Sequence, residues 1–183
     1  IIFGDSGTGK THLSKIWQKK TSAVTLNLNK FKKIKFENFF LKKKTFIIEN
    51  ISNFFDKIKK KDKEHLEKNL LHFYNLIDEK RGYLILTDSI APKFWGINLL
   101  DLKSRILSSI TVNIKKPDDE LLSSVLIKLF LDKQILIDKK IIKFIVYRSE
   151  RSFTSLQNLV DKIDKQSLIT KKKININFVK KLI

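Results

Sequence analysis

Eight consecutive residues carry the clearest chemistry in the chain: Gly4-Asp5-Ser6-Gly7-Thr8-Gly9-Lys10-Thr11. They follow the spacing G-x-x-x-x-G-K-[ST], in which glycines let successive backbone N–H groups turn toward phosphate oxygens. An apolar strand precedes this P-loop, and an amphipathic helical pattern follows it and adds its positive N-terminal end. In such a loop Lys10 reaches the β- and γ-phosphates and Thr11 places its hydroxyl on Mg²⁺. Gly4 through His12 is therefore the candidate nucleotide-binding segment, for ATP or ADP. Composition argues against a chance turn, because the chain holds only five glycines and three of them are Gly4, Gly7 and Gly9.

A site that also hydrolyses its nucleotide needs carboxylates at the ends of nearby strands, one for the metal shell and one for the attacking water. The third apolar segment reads Thr45-Phe46-Ile47-Ile48-Glu49-Asn50. Glu49 is the candidate catalytic carboxylate and shares the Mg²⁺ with Thr11, unless it simply ends a buried strand. Asn50 is an amide and cannot accept a proton as a general base. Slow hydrolysis by the chain alone is expected. The next segment, Leu84-Ile85-Leu86-Thr87-Asp88-Ser89, puts Thr87 and Asp88 at a strand's C-terminal end, where open α/β sheets gather their sites. Either residue is a candidate for the γ-phosphate or the water; a plain turn out of the strand is the alternative.

Those residues must be positioned by a sheet. Short apolar segments at Ile1–Phe3, Ala23–Leu28, Thr45–Ile48, Tyr83–Thr87 and Ile110–Ile114 predict five buried strands. Between them lie helical patterns at Thr11–Lys20 and in a longer stretch where Leu66, Leu70, Phe73 and Ile77 share one face. Alternating strands and helices predict an α/β fold with a parallel sheet flanked by helices. After Pro117 the strand signal stops. An acidic helix start at Asp118-Asp119-Glu120, a second behind Asp138, a third from Phe153 and a short last one at Phe178–Ile183 predict a small helical domain. The expected division is 1–116 for the core and 117–183 for the helical appendage.

Composition narrows the class. With no Cys, disulfides, thiolate metal sites and thiol nucleophiles drop out. No apolar run approaches the ~20 residues needed to cross a bilayer, so a cytoplasmic chain with no membrane partner is expected. Met is absent, and Ile1-Ile2-Phe3 supplies only a stub of strand before the loop, so a missing N-terminal region is expected. The net charge of +19 suggests a polyanion, but the dominance of Lys, Ile, Asn and Phe is the pattern of codons drifting toward A and T. Lysine clusters at Lys42–Lys44, Lys59–Lys63 and Lys171–Lys173 read as solvated loops, and DNA contact as indirect or non-specific. His12, His65 and His72 form no metal-ligand spacing. Trp17 and Trp95 read as packing residues.

With the P-loop, the strand-end carboxylate and the helical appendage in hand, the segment Leu99-Leu100-Asp101-Leu102-Lys103-Ser104-Arg105-Ile106 resembles the arginine-finger motif of the DnaA branch of AAA+ ATPases. Leu70-Leu71-His72-Phe73-Tyr74-Asn75-Leu76 is similar to that family's helix before the sensor strand, and Ala91-Pro92-Lys93-Phe94-Trp95-Gly96 to the loop leading to the finger. The resemblance runs from the P-loop to Ile183, where initiators of this family continue into a helix-turn-helix domain. It is therefore most like the Hda/HdaA-type regulators, which lack that domain.

The resemblance implies an AAA+ core with a lid. It also implies a bacterial regulator that, bound to ADP and to the sliding clamp on DNA, promotes hydrolysis of ATP held by a DnaA-type initiator. Arg105 takes the place of the arginine acting in trans. The clamp would be met through a motif in the missing N-terminal region. An adaptor or helicase loader that assembles with an initiator without stimulating hydrolysis uses the same fold. Three positions depart from the family: its paired strand-end acids are Glu49 and Asn50, its next-strand sensor Asp aligns near Ser89, and its lid arginine aligns near Thr154, with Arg151 or Arg148 as substitutes.

Overall fold

The computed structural model describes residues 1–27, 43–57 and 60–183. They fall into two units, one of Ile1–Asp5 with Gly9–Ile114, the other of Ser6–Thr8 with Lys115–Ile183.

The first unit is built on five strands: β1 (Ile2–Phe3), β2 (Val24–Leu26), β3 (Thr45–Glu49), β4 (Tyr83–Asp88) and β5 (Val112–Asn113). All pair in parallel, in the order β2-β3-β4-β1-β5. Parallel central strands have both faces covered, which is why β3 reads as an uninterrupted apolar run with Phe46, Ile47 and Ile48 at most 1% exposed. The helices of this unit are α1 (Lys10–Thr21), α2 (Ser52–Lys57), α3 (Lys60–Glu79) and α4 (Leu100–Ser108), with a 3₁₀ turn at Pro92–Phe94. The predicted stripe Leu66, Leu70, Phe73 and Ile77 is buried on α3 and joins Phe46, Trp95, Leu102 and Ile106 in one core. Phe73 meets Phe46 edge-on, with ring centroids 5.2 Å apart. Trp95 is fully buried and donates its Nε1–H to the carbonyl of Ile90 at 3.0 Å.

Two strand expectations need correction. The segment Ile110–Ile114 contributes only Val112–Asn113, and both residues are exposed. Among the described residues β5 lies at the sheet edge with β1 as its one neighbour, so apolar residues there do not signal burial. The predicted Ala23–Leu28 strand is Val24–Leu26. Leu28, Lys42 and Lys59 lie outside the described residues.

The second unit contains α5 (Asp119–Asp132), α6 (Lys139–Arg148), α7 (Phe153–Thr170) and α8 (Ile176–Lys180). Each begins on a side chain that accepts from a first-turn amide: Asp118 from Leu121 at 2.8 Å, Asp138 from Lys140 at 2.7 Å, Ser152 from Ser155 at 3.3 Å and Asn175 from Phe178 at 2.9 Å. Leu122, Leu126, Phe130, Ile145, Leu156, Val160 and Ile163 fill the core between them. The final helix starts at Ile176, ahead of the expected Phe178, because Asn175 caps it. Lys133 bridges Asp161 at 2.8 Å and Asp164 at 3.5 Å, which raises the lysine and lowers Asp161; at this exposure the link adds little stability. Among the described residues no helix is long and apolar enough to cross a membrane.

Candidate nucleotide-binding site

All five strands run the same way, so their C-terminal ends share one edge. The register sets Phe3 beside Asp88 and Glu49 beside Thr87, bringing the start of the P-loop level with the ends of β3 and β4. Gly4 continues β1, donating its N–H to the carbonyl of Asp88 at 3.2 Å. Its φ of 154° lies at the limit of what other residues adopt, and a Cβ there would run into the carbonyl oxygen of Ile114.

At the far end of the loop Gly9 is the N-cap of α1 with φ 100°. No side chain caps this helix, and its first turn holds no acid, so nothing on the helix competes with an anion for its leading amides. Lys10 is buried and donates from Nζ to the carbonyls of Gly4 at 2.6 Å and Asp5 at 2.7 Å. Burial pushes this ammonium below the usual lysine range, while Asp88 and Asp5 pull it back up. Thr11 and His12 follow in the first turn, both exposed. Within the second unit the carbonyl of Gly7 accepts from the N–H of Phe153 at 2.9 Å, and Thr8 is 3% exposed. Within the first unit the turned Gly4 and Gly9, the uncapped helix start and Lys10 beside the Gly4 and Asp5 carbonyls lie together, with donors of the kind that suit phosphate oxygens.

Glu49 is half-buried at the end of β3. Asn50 follows it, exposed, with φ 55°, a left-handed conformation that asparagine tolerates better than most side chains. Among the described residues no group of three or more His, Cys, Asp or Glu is arranged to hold a metal.

Asp88, rather than Ser89, is the last residue of β4, and it is 1% exposed. Its carboxylate accepts from the backbone N–H of Ser52 at 2.6 Å, the Ser52 hydroxyl at 2.8 Å, and the N–H groups of Ser89 at 2.7 Å and Ile90 at 3.1 Å. It ties the end of β4 to the start of α2, a role the strand-end position alone does not announce. Asp88→Ala leaves three amides without their acceptor and is expected to cost about 3 kcal/mol or more. Thermal unfolding should show this as a midpoint lowered by roughly 6–12 °C.

Arg105 is not part of this edge cluster. It is exposed on α4, with its guanidinium 5.8 Å from the centre of the Tyr74 ring on α3. The hydroxyls of Ser108 and Ser109 donate to its carbonyl at 3.0 and 2.8 Å. In the second unit Thr154 is exposed in the first turn of α7. Arg151 pairs with Asp119 at 2.6 Å and donates to the carbonyl of Pro117 at 3.3 Å, and Arg148 lies 5.3 Å from the Phe144 ring. Sequence reasoning missed Glu67, a buried carboxylate that accepts from the N–H groups of Asn98 and Leu99. The signal was an acid next to Leu66, inside the buried stripe of α3.

Residues 121–183 match the family model described as Hda, lid domain. The whole chain is 25% identical over 201 residues to the chromosomal replication initiator protein DnaA of Buchnera aphidicola subsp. Cinara cedri, covering 100% of this chain and 45% of that protein. The chain thus spans less than half the length of that relative. In fold it is similar to domain III of Thermotoga maritima DnaA, with a TM-score of 0.83 at 17% identity, over 100% of this chain and 81% of the other. AMPPCP-bound DnaA from Aquifex aeolicus aligns with a TM-score of 0.73 at 18% identity, over 91% of this chain and 55% of that one. The chain is thus similar in sequence and fold to DnaA, and over residues 121–183 it matches the lid domain of Hda.

Proposed function

We propose that this chain regulates replication initiation by promoting hydrolysis of the ATP held by a DnaA-type initiator, with Arg105 acting in trans. The observation that carries this reading is Arg105 itself: an exposed guanidinium on a short helix whose residues Leu102 and Ile106 are buried and whose last turn is tied by Ser108 and Ser109. A charge offered to a partner and held still is what a finger requires. A guanidinium spreads positive charge against the oxygens of the γ-phosphate and does not deprotonate. The lid match and the relation to DnaA make an initiator the natural partner.

In this reading the chain's own site binds more than it reacts. The leading amides of α1 and Lys10 hold the phosphates of ADP or ATP, and Thr11 and Glu49 hold Mg²⁺. The metal, when bound, neutralises phosphate charge. Asn50 supplies no base, and the carboxylate of Asp88 is committed to hydrogen bonds of the fold, from Ser52, Ser89 and Ile90. The resident nucleotide, ADP, sets the shape in which the chain docks, with the sliding clamp on DNA as the further partner. Asn50→Asp restores a carboxylate next to Glu49. It is expected to raise turnover of ATP by the isolated chain by about tenfold or more, out of the roughly 10²–10⁴ a well-placed base contributes. A phosphate-release assay at saturating ATP checks it.

The reading is tested by the nucleotide content of a DnaA-type initiator incubated with and without the chain, in the presence of clamp and DNA. Conversion of bound ATP to ADP that depends on the chain supports it. Tight association with no conversion points to an adaptor or helicase loader.

A further inference from the structure

Two contacts on one face of α3 hold the helix that carries Arg105. Glu67, 1% exposed, sets one carboxylate oxygen 3.0 Å from the N–H of Asn98, and its other oxygen 3.2 Å from that amide and 2.7 Å from the N–H of Leu99. These residues lead into α4, whose N-cap is Leu99, a residue with no side-chain acceptor. The N-cap amide, which a Glu or Gln at the third helical position would otherwise accept, is met instead by a carboxylate from another helix, 32 residues away in sequence. Two turns further along α3, at i+7 and so on the same face, Tyr74 presents its ring to the Arg105 guanidinium at 5.8 Å. Leu70 lies between them in sequence and shares the buried core with Leu102 and Ile106 of α4.

We infer that Glu67 is a positioning residue for Arg105: it fixes the start of α4 so that the arginine emerges in one place. A carboxylate accepting from backbone amides makes charge-assisted bonds, shorter and stronger than neutral ones. Its negative charge also lies at the positive end of the α4 dipole. Glutamine at the same position offers one oxygen and turns an NH₂ toward amides that need an acceptor. The start of α4 is then released, while Leu102 and Ile106 keep the helix folded. Arg105 would still be present and charged, but displaced, and displacement by about 1 Å costs a reacting geometry on the order of 10²-fold.

This inference rests on the reading of Arg105 as a finger, and the experiment separates the two. Glu67→Gln, Arg105→Ala and the double variant are compared for the rate of ATP hydrolysis on the initiator, for the concentration of chain giving half that rate, and for amide exchange. Glu67→Gln is expected to lower the maximal stimulated rate by roughly ten- to a hundredfold and to leave the half-saturating concentration within about twofold. The amides of Asn98 and Leu99 should exchange faster. The double variant should be no slower than Arg105→Ala alone, because Glu67 acts only through the arginine. Glu67→Asp, which keeps the charge but shortens the reach, should fall between wild type and Glu67→Gln, and serves if the glutamine variant does not fold. Full stimulation by Glu67→Gln, or losses that multiply in the double variant, would overturn the inference. If wild type itself stimulates nothing, the finger reading fails; the link from Glu67 to α4 is still decided by exchange, and unchanged protection of Asn98 and Leu99 in Glu67→Gln would refute it.

Discussion

Arg105→Ala is expected to remove nearly all of the chain's effect on ATP held by the initiator while leaving its fold and its own nucleotide in place. Arginine fingers are worth roughly 10³–10⁵ in rate, so the stimulated reaction should fall back to the initiator's intrinsic rate. The side chain is exposed, and its loss from the fold amounts to one ring contact, with Tyr74 at 5.8 Å. Such an exposed pairing is worth about 0.5–1 kcal/mol, too little to unfold the chain. Thermal unfolding and nucleotide affinity should therefore match wild type. Arg105→Lys keeps the charge but loses the planar fork, and should recover only a small part of the rate. Phosphate release, unfolding and affinity measured on the same preparations separate a chemical role from a structural one.

Lys10→Ala carries the second large effect, on the chain's own nucleotide. Nζ donates to the carbonyls of the adjacent Gly4 and Asp5 at the start of the loop, and phosphate oxygens would take over as acceptors. Two charge-assisted hydrogen bonds to phosphate are together worth about 3–6 kcal/mol, so affinity for ATP and ADP should fall by two to four orders of magnitude. Titration with a fluorescent nucleotide reads this directly. Because docking on the initiator is proposed to need the occupied site, Lys10→Ala should also abolish stimulation even though Arg105 is intact. A variant that binds no nucleotide yet stimulates fully would leave the P-loop without a role in regulation.

The sequence announced the parts of this molecule whose chemistry is local. Gly4, Gly7, Gly9 and Lys10 declare the loop because each solves a problem within a few residues of itself. The helix starts at Asp118 and Asp138 are legible for the same reason, since each side chain reaches an amide two or three positions on. β3 and α3 were readable because burial on both faces, or on one stripe, writes itself into residue type. What was not legible depends on chain segments far apart in sequence. Asp88 reads as a candidate for the nucleotide, but its partner Ser52 is 36 residues away and no spacing announces it. Glu67 reads as one more charge on a charged helix, while its acceptor role is defined by amides at Asn98 and Leu99. β5 misled because an edge strand keeps an apolar composition without burial, as Val112 at 52% exposure illustrates.

The central claim is that Arg105 completes another protein's active site. The most direct measurement loads a DnaA-type initiator with ATP labelled at its γ-phosphate, adds clamp-loaded DNA, and follows a single turnover of phosphate release with no chain, with the ADP-bound chain, and with Arg105→Ala. Fast release is expected with the wild-type chain, and release at the initiator's own rate in the other two. Equal rates in all three, or fast release with Arg105→Ala, would contradict it.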